Sequence, residues 1–181
     1  MSVIWIIILI IAAFSIFTFN SLIKLRNLVK EAWSGIDVQL KRRYNLIPNL
    51  VNLVKGYAQY EKDVLESVTN ARAKTTSSTN TRERAESEDR LSETLKTLFA
   101  VVENYPQLKA NQNYLALQKE LSEIEDNIQL SRRYYNGVVR DLNIKIESAP
   151  SNIIAALFKF QKADFFQIES AVEREVPKVK P

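Results

Sequence analysis

Apolar residues run without a charge from Val3 to Phe19 (VIWIIILIIAAFSIFTF), and basic residues begin soon afterwards at Lys24, Arg26 and Lys30. A helix of that length rises about 25 Å, and extension through Leu22 and Ile23 brings it to about 30 Å, the depth of a bilayer's hydrocarbon core. The pattern predicts a membrane anchor over residues 1–23, touching the lipid bilayer through residues 3–23. A cleaved secretory leader would place basic residues ahead of its apolar stretch and small residues at its end. Here no Lys or Arg precedes the stretch, and Ala12-Ala13 lies in its middle with Phe14 following, so the anchor is expected to stay uncleaved. The positive charges all fall on its C-terminal side, which predicts a single pass with the N-terminus outside and the remainder cytoplasmic.

Beyond the anchor the apolar residues fall three and four apart, the spacing of amphipathic helices. Leu25, Val29, Ala32, Ile36 and Leu40 mark a first stripe, running to about Arg43 and open to being continuous with the membrane helix. At Tyr44-Asn45-Leu46-Ile47-Pro48 a turn is expected, because Pro48 has no N–H and disfavours helical geometry at Ile47; a kinked continuous helix is the alternative. A second stripe, Leu50, Val51, Val54, Ala58, Leu65, Val68 and Arg72, dissolves into the polar stretch Lys74–Thr81, expected to be a loop or a frayed helix end. Leu91, Leu95, Leu98, Phe99 and Val102 mark a third helix stopping near Tyr105-Pro106. The fourth stripe is the longest, from Tyr114 through Leu121, Ile128 and Tyr135 to Leu142, ending at Ser148-Ala149-Pro150. These elements predict an all-α chain: the transmembrane helix, an up-and-down antiparallel four-helix bundle over 24–150, and a short C-terminal helical or extended segment. That segment, 151–175, carries Phe158, Phe160, Phe165 and Phe166 and is expected to cap one end of the bundle; 176–181 (VPKVKP) is expected to be a mobile tail.

Composition narrows the chemistry. The chain has neither cysteine nor histidine, which excludes disulfides, thiol chemistry, Cys/His zinc sites and imidazole acid–base catalysis. Its 3 glycines and 5 prolines are few for a sheet protein, and the glycines, Gly35, Gly56 and Gly137, sit singly inside helical patterns, where they are expected to permit close helix approach. The adjacent acids Glu88-Asp89 and Glu125-Asp126 point about 100° apart on a helix and do not converge on a substrate. No catalytic, metal or cofactor site is expected. A net charge of +4 with many interleaved glutamates argues against nucleic acid, and the basic cluster Lys41-Arg42-Arg43 is expected to be a solvated face. Lys24, Arg26 and Lys30 are the cations within reach of lipid headgroups.

The strings RNLVKEAWSGIDVQLKRRYNLIPNLVNLVKGYA (26–58) and SRRYYNGVVRDLNIKIESAPSNIIAALF (131–158) resemble the two signatures of the LemA family of bacterial membrane proteins. The resemblance implies one N-terminal anchor followed by a helical bundle and implies no activity. Within these strings Trp33 is expected to pack in the core, and Asp37 to pair with Arg132 or Arg133. Asn49, Asn136 and Asn143 are expected to hydrogen-bond across the core. Together with Arg42, Arg43, Pro48 and Tyr135 they make up the structural or interaction candidates. The expected function is a non-enzymatic interaction or scaffold module at the bacterial envelope, partnered by envelope or cytosolic proteins. The alternative is a self-associating structural protein forming a membrane-bound homo-oligomer, for which Ile144 and Ile146 would supply leftover apolar surface.

Overall fold

The computed structural model describes residues 2–58, 60–78 and 80–166, and among these every regular element is a helix. They are α1 (Ser2–Tyr57), α2 (Lys62–Ser77), α3 (Thr81–Val102), α4 (Pro106–Lys109), α5 (Gln112–Glu147) and α6 (Ser151–Leu157). The expected tail 176–181, and the part of the C-terminal segment beyond Phe166, lie outside the described residues.

The turn expected at Tyr44–Pro48 does not exist: α1 passes through Pro48 as one helix of 56 residues. The physical reason is on α2. Proline at position 48 deprives the Tyr44 carbonyl of its usual amide donor. Arg72 fills the vacancy, donating from Nε to the Tyr44 oxygen at 3.0 Å while its guanidinium lies 3.5 Å over the Tyr44 ring. A foreign donor for the freed carbonyl is what lets a proline persist inside a helix. A double-mutant cycle tests this. Arg72→Met is expected to cost about 1–2 kcal/mol in the native sequence. In a Pro48→Ala background, where a backbone amide at position 48 restores the bond, it should cost about 1 kcal/mol less. Denaturation midpoints of the four proteins decide the matter, and strictly additive costs would rule the coupling out.

The break comes instead at Ala58–Glu61, so the expected second helix is split between the end of α1 and α2. Ala58 is fully buried there, and Tyr105 in the α3–α4 turn donates its hydroxyl to Glu61 at 2.9 Å. The polar stretch from Lys74 is helical as far as Ser77, with Thr75, Thr76 and Ser77 hydroxyls donating back to carbonyls one turn earlier. α3 starts under a cap from Asn80, whose side chain accepts from the Glu83 amide at 2.8 Å. Pro106 occupies the first turn of α4, where its missing N–H costs nothing.

α5 lies along α1 and α2 along α3. The core divides into three clusters stacked along α1. The one nearest the apolar end joins Leu22 to Leu142, Ile154 and Ala155. The middle one joins Ala32, Ile36 and Leu40 to Ile124, Ile128, Tyr135 and Phe166. The far one joins Ile47, Leu50 and Val54 to α2, α3, α4 and Tyr114. The glycines do not serve close packing: a Cβ at Gly35, Gly56 or Gly137 would meet nothing within 4 Å.

Candidate functional site

Two polar assemblies hold the helices in register. The first is buried where the middle and far clusters meet. On α1 the residues Ile36, Leu40, Arg43, Ile47, Leu50 and Val54 alternate steps of four and three, so Arg43 occupies a core position. It is 1% exposed, which overturns its reading as part of a solvated basic face. A guanidinium so placed needs opposite charge. Glu88 of α3, itself on the buried stripe between Ala85 and Leu91, approaches Arg43 at 2.5 Å, and Glu125 of α5 approaches from the other side at 2.5 Å. Ser92 accepts from the same guanidinium at 2.7 Å, and the Glu88 carbonyl accepts at 3.2 Å. Arg84 extends the ladder outward, meeting Glu88 at 3.5 Å and Asp37 at 3.1 Å.

Asp37 therefore pairs with Arg84, and the expected partners are engaged elsewhere. Arg132 holds Asp89 at 2.6 Å, while Arg133 is exposed and turns back to the Gln129 carbonyl. The adjacent acids Glu88 and Asp89 do diverge, as helix geometry requires, but each finds a different arginine on a different helix. Glu88 and Glu125, from separate pairs, converge on Arg43. A cavity of about 200 Å³ reaches this ladder, lined by Arg43, Ser92, Lys96, Gln118 and Glu125 among others. Arg42 stays at the surface, 3.3 Å from Gln39 and 3.9 Å from Glu120. Asn49 is exposed and not in the core.

The second assembly fastens the extended segment 160–166 along α5. Asn136 and Asn143 stand two helical turns apart on one face, about 10 Å along the axis. Each makes a reciprocal pair with a backbone unit. Asn143 donates to the Ala163 carbonyl and accepts from its amide, both at 2.9 Å. Asn136 does the same with Phe166, at 3.2 and 2.8 Å. Three extended residues span about 10 Å, so the strap, running antiparallel to α5, matches the helix spacing. These asparagines thus bind backbone beyond the helices and not one another across the core. Tyr135 donates to the Asp164 carbonyl at 2.9 Å; burial, and then the Asp164 carboxylate, push its phenol above the ordinary value. Phe166 is buried under Trp33 at 5.7 Å and beneath the Arg132 guanidinium at 4.8 Å, and Trp33 meets Tyr135 edge-on at 5.5 Å. Lys162, its ammonium pKa raised by Glu147, bridges to that residue at 2.7 Å.

Among the sequence candidates, Trp33, Arg132, Tyr135, Asn136 and Asn143 come together at the strap, and Asp37 and Arg43 meet in the ladder. Sequence reasoning missed Glu88, Ser92, Glu125, Arg84 and Arg72. A charge interrupting a heptad-spaced apolar stripe was the available signal for Arg43 and Glu88.

The amino-acid sequence is similar to those of known proteins. The model of the LemA family matches residues 32–180. Protein LemA of Metamycoplasma hominis is 27% identical over 161 residues, covering 88% of this chain and 71% of that protein. Magnetosome protein MamQ 2 of Paramagnetospirillum magneticum is 24% identical over 179 residues, covering 84% of this chain and 66% of its own length. Magnetosome protein MamQ of Magnetospirillum gryphiswaldense is 21% identical over 164 residues, with 76% and 60% covered.

Proposed function

The chain belongs to the LemA family, and on that premise we propose that it is a non-enzymatic, membrane-anchored scaffold that binds other proteins at a bacterial envelope membrane. In this reading residues 1–23 cross the bilayer once with the N-terminus outside. Residues 24–150 form a cytoplasmic up-and-down four-helix bundle from α1, α2, α3 and α5, α6 closes its membrane-facing end, and residues 160–166 run back along α5. The observation that carries the reading is the unbroken α1. This helix is long and apolar enough to cross a membrane, and it runs from the exposed apolar stretch into the domain with no linker. The domain is thereby held at a fixed height and angle, reaching about 50 Å from Leu22 to Tyr57. Catalysis asks for reactive groups converging on open space. The buried charges here are paired with one another, with only the Arg43 and Arg84 Nε atoms lacking a hydrogen-bond acceptor among the described residues, which supports a structural role.

One surface open to a partner is the groove of about 660 Å³ between α2 and α3, where Asp63, Glu66, Glu83, Glu86 and Glu93 outnumber Lys74 and Arg90. A photo-crosslinking residue at Glu66 or Glu86 of the full chain, expressed in cells, is expected to give adducts with a different protein. Adducts at twice the chain's own mass would favour self-association instead, a reading supported by the exposed Leu130, Tyr134 and Ile144 on α5; Ile146 is half-buried against the cluster of Leu22, Leu142, Ile154 and Ala155. Orientation is tested on the cysteine-free background with single cysteines at Ser2 and Ser77 and an impermeant maleimide. Labelling of intact cells at Ser2 alone is expected, and labelling at Ser77 alone would reverse the topology.

A further inference from the structure

α6 and the turn after it present an apolar face that the described residues leave largely open. Ile153 and Leu157, one turn apart, are 67% and 70% exposed, and neighbouring Phe158 is 53% exposed. In water the outward face of a helix carries polar residues. The level of this face along α1 is fixed by contacts. The Phe158 and Phe160 rings lie 4.6 and 5.9 Å from the ring of Phe19, and Ile154 and Ala155 pack with Leu22. The face is therefore continuous with the open apolar surface of α1. Exposed cations accompany it: Lys24 and Arg26 on α1, with the Arg26 guanidinium 5.4 Å from the Phe160 ring, and Lys159 after Phe158.

Length supplies the second argument. Apart from the half-buried Ser15, α1 is open from Val3 to Phe17, whereas Thr18 and Leu22 are already buried in the domain. The open portion rises only about 22 Å, against a hydrocarbon core of about 30 Å. The missing 8 Å or so falls on the turns that α6 covers, and interfacial helices sink their apolar faces by about 5–10 Å.

We propose that α6 is a membrane foot: Ile153, Leu157 and Phe158 insert into the leaflet from which α1 emerges, with Lys24, Arg26 and Lys159 at the headgroups. The inference rests on α1 crossing the bilayer, and the experiment separates the two. The full chain is placed in nanodiscs of phosphatidylcholine and phosphatidylglycerol, carrying an environment-sensitive fluorophore on one cysteine at a time. The variants are Ile153→Cys and Leu157→Cys, with Ile10→Cys as the anchor reference and Tyr60→Cys, at a residue 96% exposed, as the water reference. Nitroxides on the lipid acyl chains are expected to quench positions 153, 157 and 10 several-fold more than position 60. Quenching at 10 with 153 and 157 behaving like 60 overturns the foot and leaves the anchor standing. No quenching at 10 overturns the anchor and the foot with it. Probes at 153 and 157 shielded from both lipid nitroxides and an aqueous quencher would mean that a second copy covers the face, which also overturns the proposal.

Discussion

Arg43→Met is expected to destabilise the helical domain by about 3–5 kcal/mol, because it strands two carboxylates that are held out of water by their cation. Glu88 is nearly as buried as Arg43, and Glu125 is about one-third exposed, so most of the loss comes from the Glu88 side. For a domain of this size the loss corresponds to a fall of about 10 °C or more in Tm. Helical circular dichroism of the full chain in detergent, followed through a denaturant titration, reads it directly. Arg43→Lys should recover only part of the loss, since one ammonium on a flexible stem cannot engage Glu88, Ser92 and Glu125 together. The informative variant removes the whole ladder: Arg43→Met with Glu88→Leu and Glu125→Leu. Buried ion pairs replaced by apolar residues are often neutral or stabilising, so this protein is expected to match or exceed the native stability. If it does, the ladder sets which helix faces meet and is not needed to hold them together. A loss below about 1 kcal/mol for Arg43→Met alone would refute the account of a buried, mutually dependent charge network.

The same residue explains where sequence reading succeeds and where it stops. α5 is legible end to end because its stripe from Tyr114 to Leu142 meets no charge and no proline. The α1 stripe is equally regular, yet it carries an arginine at position 43 and passes a proline at position 48, each of which argues locally against a continuous buried helix. Both are rescued by side chains distant in sequence: Glu88 and Glu125 for Arg43, and Arg72 for the carbonyl that Pro48 frees. No local rule contains that information. The apolar N-terminal helix was legible for the opposite reason, since an uninterrupted apolar run from Val3 to Phe19 needs no partner in the chain to be interpreted. For the strap, the spacing of Asn136 and Asn143 was visible, but their targets were not. Asparagine amides that pair with backbone leave no mark on the side chains of residues 163–166 beyond the aromatic Phe166.

Phe166→Ala should release the strap while leaving the helices folded. Truncating a buried phenylalanine costs about 3–5 kcal/mol, and here the loss falls on a segment fastened by a few contacts that can open by itself. Hydrogen exchange at the Ala163 and Phe166 amides, both bound to asparagine side chains in the native protein, is expected to speed up by about 100-fold or more. Amides in the α1 and α5 cores should change far less. Asn136→Ala and Asn143→Ala act in the same direction, each by about 1–3 kcal/mol through two lost hydrogen bonds. Trp33 reports the event optically, because its ring touches both Tyr135 and Phe166; Trp5→Phe makes it the sole tryptophan. Tyr135 adds a pH signature. Its phenol is raised in the folded state, so its contribution is intact below the ordinary tyrosine pKa of about 10 and declines as pH climbs through that value towards the folded one. Alkaline release of the strap seen by Trp33 should therefore lose this component in Tyr135→Phe, which also forfeits the bond to the Asp164 carbonyl. Should Phe166→Ala lower global stability with no selective change at 163 and 166, the strap opens only with the whole domain, and residues 160–166 are part of the core rather than a fastening laid over it.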